Sequence, residues 1–412
     1  MNKIKIPDID LREYDYELPK DKIALYPKEK RDESRLLFAN VDTEDISHHQ
    51  FKEIPNIVPR DSLLILNETK VIQARLFFNK PTGGRVEFLL VEPLAPSKIP
   101  VITLGAKGIC RWECIIGGKR VRESLTLFST AVHLKLQAKV ISRENNTGVI
   151  EFTWEGDRTF SEIIEDAGTM PLPPYIARDS ETIDKQRYQT VYASNDGSVA
   201  APTAGLHFTD NVLYDLKQNN INISRITLHV GPGTFQPVST NDIKEHSMHY
   251  ERIFISKDTI ENIVVALKQS RNIIAVGTTC TRTIESLYWH ALKFYNNNPN
   301  VSDEIDVKQW EPYQYAELPS AIDVLSNLLE ELSRTGKREV VGRTQLFIIP
   351  GYNYKIFNGL ITNFHLPKST LILLVAAFTK KSFWAKIYKN ALNGNYRFLS
   401  YGDSTILLKS IG

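Results

Sequence analysis

Two periods of apolar and polar residues divide the chain, and the change between them falls near Asp157. From Ser62 to Trp154 the pattern is strand after strand. It runs through SLLIL (Ser62–Leu66), the alternating RVEFLLVE (Arg85–Glu92), and LTLF and VHLKLQAKV between Leu125 and Val140. Turn signals at Thr82-Gly83-Gly84, Gly117-Gly118 and Asn145-Asn146 separate the runs. With no helical period among them, these strands predict a small antiparallel barrel or sandwich.

After Asp157 helical spacing appears, with Phe160, Ile163 and Ile164 on one face before Pro171-Leu-Pro-Pro174 stops it. From Asn222 onwards apolar strands alternate with helices: ISRITLHV, DTIENIVVALKQ, NIIAVG and TRTIESLYWHAL, then QLFIIP, GLITNF, a helix after Pro367, and STILL near the end. This alternation predicts an α/β layer or barrel. Asn296 to Gln314 is polar and strand-poor. Ser320 to Gly336 then reads as a capped amphipathic helix, with Ile322, Leu325, Leu328, Leu329 and Leu332 on one face.

The glycines and unusual polar residues of the second half follow directly after its apolar strands. TLHV leads into Gly231-Pro-Gly-Thr234, IIAV into Gly277-Thr-Thr-Cys280, LFII into Pro350-Gly-Tyr352, and LIT into Asn363-Phe-His365. Ligands of α/β folds bind at the carboxyl ends of strands, so these loops are the leading site candidates. Glycine there either allows positive φ in a tight turn or lets backbone N–H groups approach a ligand. No Walker A and no G-x-G-x-x-G is present, and no G-x-S-x-G either. Thr278 and Thr279 are also possible caps of the helix that follows.

Composition narrows the class without choosing a function. The 412 residues are 42% hydrophobic and 24% charged, ordinary values for a globular protein long enough for two domains. A formal charge of +2 gives no global attraction to nucleic acid, so an RNA partner would have to meet a local basic patch. The three cysteines, Cys110, Cys114 and Cys280, suggest buried thiols in a reducing compartment. The first residues have no signal-peptide core, and the run Leu371 to Phe378 is far short of the ~20 residues of a membrane span. A soluble cytoplasmic protein is expected.

Of nine histidines, five lie in or beside the strand-end loops: His207, His229, His246, His249 and His365. Their grouping suggests that at least one titrates in a mechanism. His246 and His249 are spaced i, i+3 rather than the i, i+4 of a helical zinc motif, so no metal site is expected.

Longer motifs carry a resemblance. Pro171-Leu-Pro-Pro-Tyr-Ile176, Arg187-Tyr-Gln-Thr-Val-Tyr192, Val199-Ala-Ala-Pro-Thr-Ala-Gly-Leu-His-Phe208 and Leu228-His-Val-Gly-Pro-Gly-Thr-Phe-Gln-Pro237 are among them. So are Glu245-His-Ser-Met-His-Tyr-Glu251, Val276-Gly-Thr-Thr279, Thr362-Asn-Phe-His-Leu-Pro367 and Ser400-Tyr-Gly-Asp403, with Arg31-Asp-Glu-Ser-Arg-Leu36 near the start. Across most of its length the chain resembles the S-adenosylmethionine:tRNA ribosyltransferase-isomerases of queuosine biosynthesis. The resemblance implies a barrel-like α/β main domain, here 1–66 and 158–412, with an antiparallel β-barrel domain inserted at 67–157. An extra segment at 291–336 lies within the main domain.

It also implies a reaction. The ribosyl moiety of S-adenosylmethionine would pass to 7-aminomethyl-7-deazaguanine at the tRNA wobble position, giving epoxyqueuosine, adenine and methionine. No metal or other cofactor would take part, S-adenosylmethionine being the donor substrate, and the protein would act as a monomer. Sulfonium acidifies the neighbouring C5′ hydrogens, and departing adenine needs a proton, so an acid and a base are required. His207, His229, His246 and His365 are the candidates, with Glu251 and Asp403 to orient them. Thr203, Gly205, Gly231, Gly233, Thr234, Gly277, Thr278, Thr279, Arg282 and Asn363 are the candidate substrate-binding residues. Arg282 would either hold the methionine carboxylate or form an ion pair on a helix surface.

For tRNA, one candidate surface is Lys107, Arg111, Lys119, Arg120 and Arg122, and another is Lys380, Lys381, Lys386 and Lys389. The chain departs from the family pattern at Cys280-Thr-Arg282, where Ser-Val-Arg is usual. It also lacks the usual aspartates near Gln345 and Asn358 and the usual arginine at Lys70. Two alternatives follow from these departures: a paralogue using S-adenosylmethionine on another amine or RNA, and a non-catalytic RNA-binding relative.

Overall fold

The computed structural model describes residues 6–231, 242–296, 302–315 and 317–411. Gly233 and Thr234 lie outside the described residues. Ten strands, numbered in chain order, form one mixed sheet. Across it run β16 (Ile305–Val307), β17 (Glu339–Thr344), β14 (Glu251–Ser256), β13 (Asn222–His229), β3 (Leu63–Asn67), β15 (Ile273–Val276), β18 (Gly359–Asn363), β19 (Ser404–Leu408), β1 (Arg35–Asn40) and β2 (Ile46–Gln50). Its central strands β3, β15, β18 and β19 are buried at every position. Such unbroken apolar runs are what a sheet covered on both faces demands.

The helix Gly277–Tyr295 is enclosed from Gly277 to Leu292 and runs through the largest core cluster. Against it packs the amphipathic helix Ala321–Thr335, capped by the Ser320 side chain and stopped by left-handed Gly336, as its sequence predicts.

The second body is a closed barrel. β5 (Arg75–Asn79), β6 (Arg85–Ala95), β7 (Ile109–Gly117), β10 (Thr147–Thr153), β9 (Gln137–Glu144) and β8 (Thr126–Ser129) pair in that order, and β8 closes back onto β5. Alternating burial along β7 and β10 points one face of each strand at Phe78, Phe88, Trp112 and Phe152. The helix Phe160–Ala167 joins this core through Phe160, Ile163 and Ile164, and its start carries a Thr159–Glu162 capping box. Cys110 and Cys114 are free thiols buried in the same core. β11 (Gly168–Thr169) adds to β5, and β4 (Thr69–Val71) pairs with β12 (Asn195–Ser198), so hydrogen bonds cross the boundary drawn at 66/67. The expected class, α/β with an inserted antiparallel barrel, is the one observed.

SLLIL opens the strand-rich stretch but falls within 1–66, and it becomes β3 at the centre of the main sheet. Two local expectations need correction. VHLKLQAKV is not one strand, because a 3-10 turn at Val132–Leu134 and left-handed Lys135 break it before β9. QLFIIP is not a strand either. Leu346 to Ile349 are buried in the core without sheet pairing, and the strand lies just before them, at β17. A short, wholly apolar run shows burial but not hydrogen-bond partners.

Candidate active site

The register of the sheet collects the loops of interest at one edge. β3, β13, β15 and β18 are parallel, so their carboxyl ends fall together. β19 runs antiparallel to β18, with Ser404 opposite Asn363, and β1 lies parallel to β19. The starts of β1 and β19, with Ser34 and Asp403, therefore reach the same edge.

A cleft of about 690 Å³ opens there. Thr203, Gly277, Thr278, Thr279, Asn363 and His365 line it, joined by Tyr175, Ser369 and Ser400. Gly277 has φ +89° and turns the chain from β15 directly into the long helix, a conformation that disfavours residues with a Cβ. No side chain caps this helix. Thr278 and Thr279 are thus not caps but first-turn residues, and the uncapped N–H groups favour a negative or acceptor-bearing ligand. Thr279 Oγ1 is buried without a hydrogen-bond partner among the described residues. A second helix, Thr370–Phe378, starts beside the same cleft with Ser369 Oγ accepting from the Ile372 N–H at 3.3 Å.

The four candidate histidines do not converge. His365 lines the large cleft, is 8% exposed, and shares a 2.9 Å hydrogen bond with Thr362 through Nε2. Burial pushes its pKa down to about 3. His207 lies in an adjoining cleft, where Nδ1 is 2.7 Å from Ser34 Oγ, and burial lowers it to about 4. His229 lines a third cleft, at about 950 Å³ roomier than the first, and is bonded to Thr69 Oγ1 at 2.9 Å, with burial taking it to about 4 as well. His246 is half-buried against Phe347, with its pKa lowered by burial and then by His249.

Arg282 and Glu251 form a buried ion pair with each other, and Arg282 Nε also donates to the Leu346 carbonyl at 3.1 Å. Neither lines the large cleft. Asp403 is a brace: its two oxygens accept from the backbone N–H of Arg35 at 2.9 Å and of Arg397 at 2.8 Å. Gly205 sits where a Cβ would lie 2.1 Å from the Tyr192 hydroxyl oxygen, so its value is close packing. Among the described residues nothing lies within 4 Å of where a Gly231 Cβ would be, and its neighbour Val230 lines the cleft.

Sequence reasoning passed over Tyr175 and Ser400, whose hydroxyls share a 2.7 Å hydrogen bond at the cleft. It also passed over Glu285, a fully buried carboxyl within the long helix. Burial raises Glu285 to about 7, against hydrogen bonds from Tyr352 and the Lys355 and Ile356 N–H groups. Among the described residues no group of three or more His, Cys, Asp or Glu side chains could hold a metal ion. No described helix is long and apolar enough to cross a membrane.

Fold and site together define an α/β enzyme scaffold whose reactants would meet in strand-end loops, with a closed β-barrel inserted in the chain. The family model described as "Queuosine biosynthesis protein" matches residues 11–407. The S-adenosylmethionine:tRNA ribosyltransferase-isomerase of Halothermothrix orenii is 39% identical over 402 residues, 97% of this chain and 99% of that protein. Its namesakes in Legionella pneumophila and Aquifex aeolicus are 37% and 34% identical, covering 96% and 97% of this chain and 99% of their own lengths. A crystal structure of S-adenosylmethionine tRNA ribosyltransferase from Thermotoga maritima is 29% identical. It covers 96% of this chain and 100% of that one, with a TM-score of 0.47. The chain belongs to this family of transferase-isomerases.

Proposed function

We propose that the protein transfers and isomerises the ribosyl moiety of S-adenosylmethionine onto 7-aminomethyl-7-deazaguanine at the wobble position of tRNA. Epoxyqueuosine, adenine and methionine would be the products, formed in the cytoplasm without a metal or other cofactor. The observation that most supports this reading is the match to the family along nearly the whole chain.

The cleft suits the chemistry. His365 is the one candidate histidine among its lining residues. Burial keeps it neutral at pH 7, the form that can accept the C5′ proton, though a weaker base than a free imidazole. The imidazolium so formed is poorly solvated and therefore a strong acid, ready to pass the proton to departing adenine. The uncapped start of the Gly277 helix and the Thr279 hydroxyl, which has no hydrogen bond of normal geometry among the described residues, offer donors to the methionine carboxylate or ribose oxygens. His207 and Asn363 would position the far wall.

The departures from the family pattern lie away from this cleft. Cys280 is buried in the main core, and Asn358 ties Asn272 to the Lys409 carbonyl. Gln345 donates to the Met248 carbonyl, and Lys70 pairs with Asp196 on the surface. Each position serves the scaffold, which favours the family reaction over altered chemistry.

The test is direct. Purified protein is incubated with S-adenosylmethionine and tRNA carrying 7-aminomethyl-7-deazaguanine, and mass spectrometry follows adenine and the wobble nucleoside. The proposal predicts stoichiometric adenine and a heavier nucleoside. Neither product appearing beside a working relative would overturn it.

A further inference from the structure

A smaller cleft of about 270 Å³ adjoins the large one, and Ser400 lines both. Its walls carry Lys28, Arg31, Arg187, Arg397 and His207, with no carboxylate side chain among the described residues. The cations come from three distant segments: the loop before β1, the end of the short helix Asp184–Arg187, and the turn before β19.

Backbone carbonyls, rather than carboxylates, hold the guanidinium groups in place. Arg31 donates to the Gln189 carbonyl at 2.9 Å, Arg187 to the Glu29 carbonyl at 3.0 Å and to that of Lys28, and Arg397 to the Tyr26 carbonyl at 3.2 Å. These bonds fix direction without cancelling charge. Arg397 Nε and Nη2 have no hydrogen-bond partner among the described residues. The carboxylate of Asp403 stays 3.9 Å from Nη2, because its oxygens are engaged by backbone N–H groups. His207, only 4% exposed, adds an Nε2 that likewise lacks a hydrogen bond of normal geometry. Positive groups held together in this way repel one another until an anion enters. The unengaged Nε and Nη2 of Arg397 offer donors to phosphate oxygens, while Arg31 and Arg187, their forks turned to carbonyls, add positive charge around them. The exposed Lys28 marks the mouth as open to a large partner.

We propose that this cleft binds one backbone phosphate of the RNA strand beside the nucleotide being modified, so that its neighbouring base enters the large cleft across Ser400. The assignment rests on tRNA being the substrate, as proposed above.

Equilibrium tRNA binding without turnover tests it, over a range of salt, for Lys28→Gln, Arg187→Gln and the double variant. Lys268→Gln, an exposed change on a distant helix, controls for net charge. The double variant should bind tRNA about 10-fold more weakly, with a salt slope lower by about 1, as loss of a phosphate contact requires. Binding of S-adenosylmethionine should stay within twofold. Arg187→Lys should keep the slope, which a purely structural role of Arg187 would not explain. The Lys28 side chain is exposed and makes no hydrogen bond among the described residues, only its backbone carbonyl being engaged, so Lys28→Gln removes the charge and leaves that contact in place.

An affinity and slope equal to those of Lys268→Gln would overturn the proposal. So would lost S-adenosylmethionine binding with normal tRNA binding, which would give the cleft to the methionine carboxylate. Wild-type protein that binds tRNA with this cleft yet releases no adenine overturns the function proposed above and supports the phosphate site. Wild-type protein that binds no tRNA overturns both.

Discussion

Asn363 and His207, one in each of the two adjoining clefts, lie close enough for the amide to act on the imidazole. Asn363 lines the larger one and anchors its amide to the Leu399 carbonyl at 2.9 Å, while His207 lines the cationic one. Neither Asn363 Oδ1 nor His207 Nε2 has a hydrogen bond of normal geometry, yet the amide lies near enough to favour the imidazole's proton. Asn363→Ala should therefore lower the His207 pKa below its value of about 4, read by NMR titration. Adenine release should slow by roughly 100-fold, the usual cost of a lost polar group in a preorganised site. An unchanged titration and rate would reduce the pair to packing.

Close packing is the whole case for Gly205. An added Cβ would meet the Tyr192 hydroxyl at 2.1 Å and Thr190 Cγ2 at 2.8 Å, both on a neighbouring segment. Gly205→Ala should cost about 1–3 kcal/mol, as overpacking does, and shift the urea midpoint downward. An unshifted midpoint would mean that this segment yields freely.

Acid should destabilise the fold through its buried histidines. His207 and His229 sit at about 4 and His290 and His365 at about 3, against 6.5 for an exposed imidazole, all lowered chiefly by burial. Above pH 6.5 both folded and unfolded chains are neutral at these sites, and the full stability is present. As pH falls from 6.5 towards 3 the unfolded chain takes up protons that the folded one refuses, so stability is lost. His290 lies in the long helix outside the large cleft, with Nε2 unpartnered among the described residues. His290→Gln should flatten the fall of Tm over this interval, and an unchanged slope would contradict the assignment.

Glu285 works in the opposite direction. Its pKa is raised from 4.5 to about 7 by burial, so the folded chain holds its proton more tightly. Its contribution is complete below pH 4.5, is lost as pH rises to 7, and is constant beyond. The loss is roughly 3 kcal/mol by linkage. Glu285→Gln keeps an acceptor for the Lys355 and Ile356 N–H groups and cannot ionise. Urea unfolding should find the variant similar to wild type at pH 4.5 and more stable at pH 8. Equal stability at pH 8 would show the carboxylate to be well solvated or compensated.

Much of this site was legible because strand ends concentrate ligand chemistry. Gly277, Thr278, Thr279, Asn363 and His365 were found from the loops that follow β15 and β18, and all five line one cleft. The histidines were grouped by that same logic, yet His229 at the end of β13 faces a different cleft. Position along a strand does not say which face a side chain takes. Arg282 looked available to a ligand because no sequence distance reveals Glu251, 31 positions away, as its buried partner. The cationic cleft was illegible for a similar reason. Lys28, Arg187 and Arg397 meet only after the chain folds, and each alone resembles a surface charge. In the fold, alternation exposed the barrel strands, while the unpaired LFII run looked like a strand because burial alone produces the same pattern.

If the proposed reaction occurs in the cleft lined by Gly277 and Asn363, His365 moves the proton there. Single-turnover adenine release, at saturating S-adenosylmethionine and substrate tRNA, compares His365→Ala with wild type at pH 7.5. The expected rate is at least about 100-fold lower, as for loss of a general base, with both substrates still bound and Tm within a few degrees. A variant that binds both and releases adenine at the wild-type rate would contradict it.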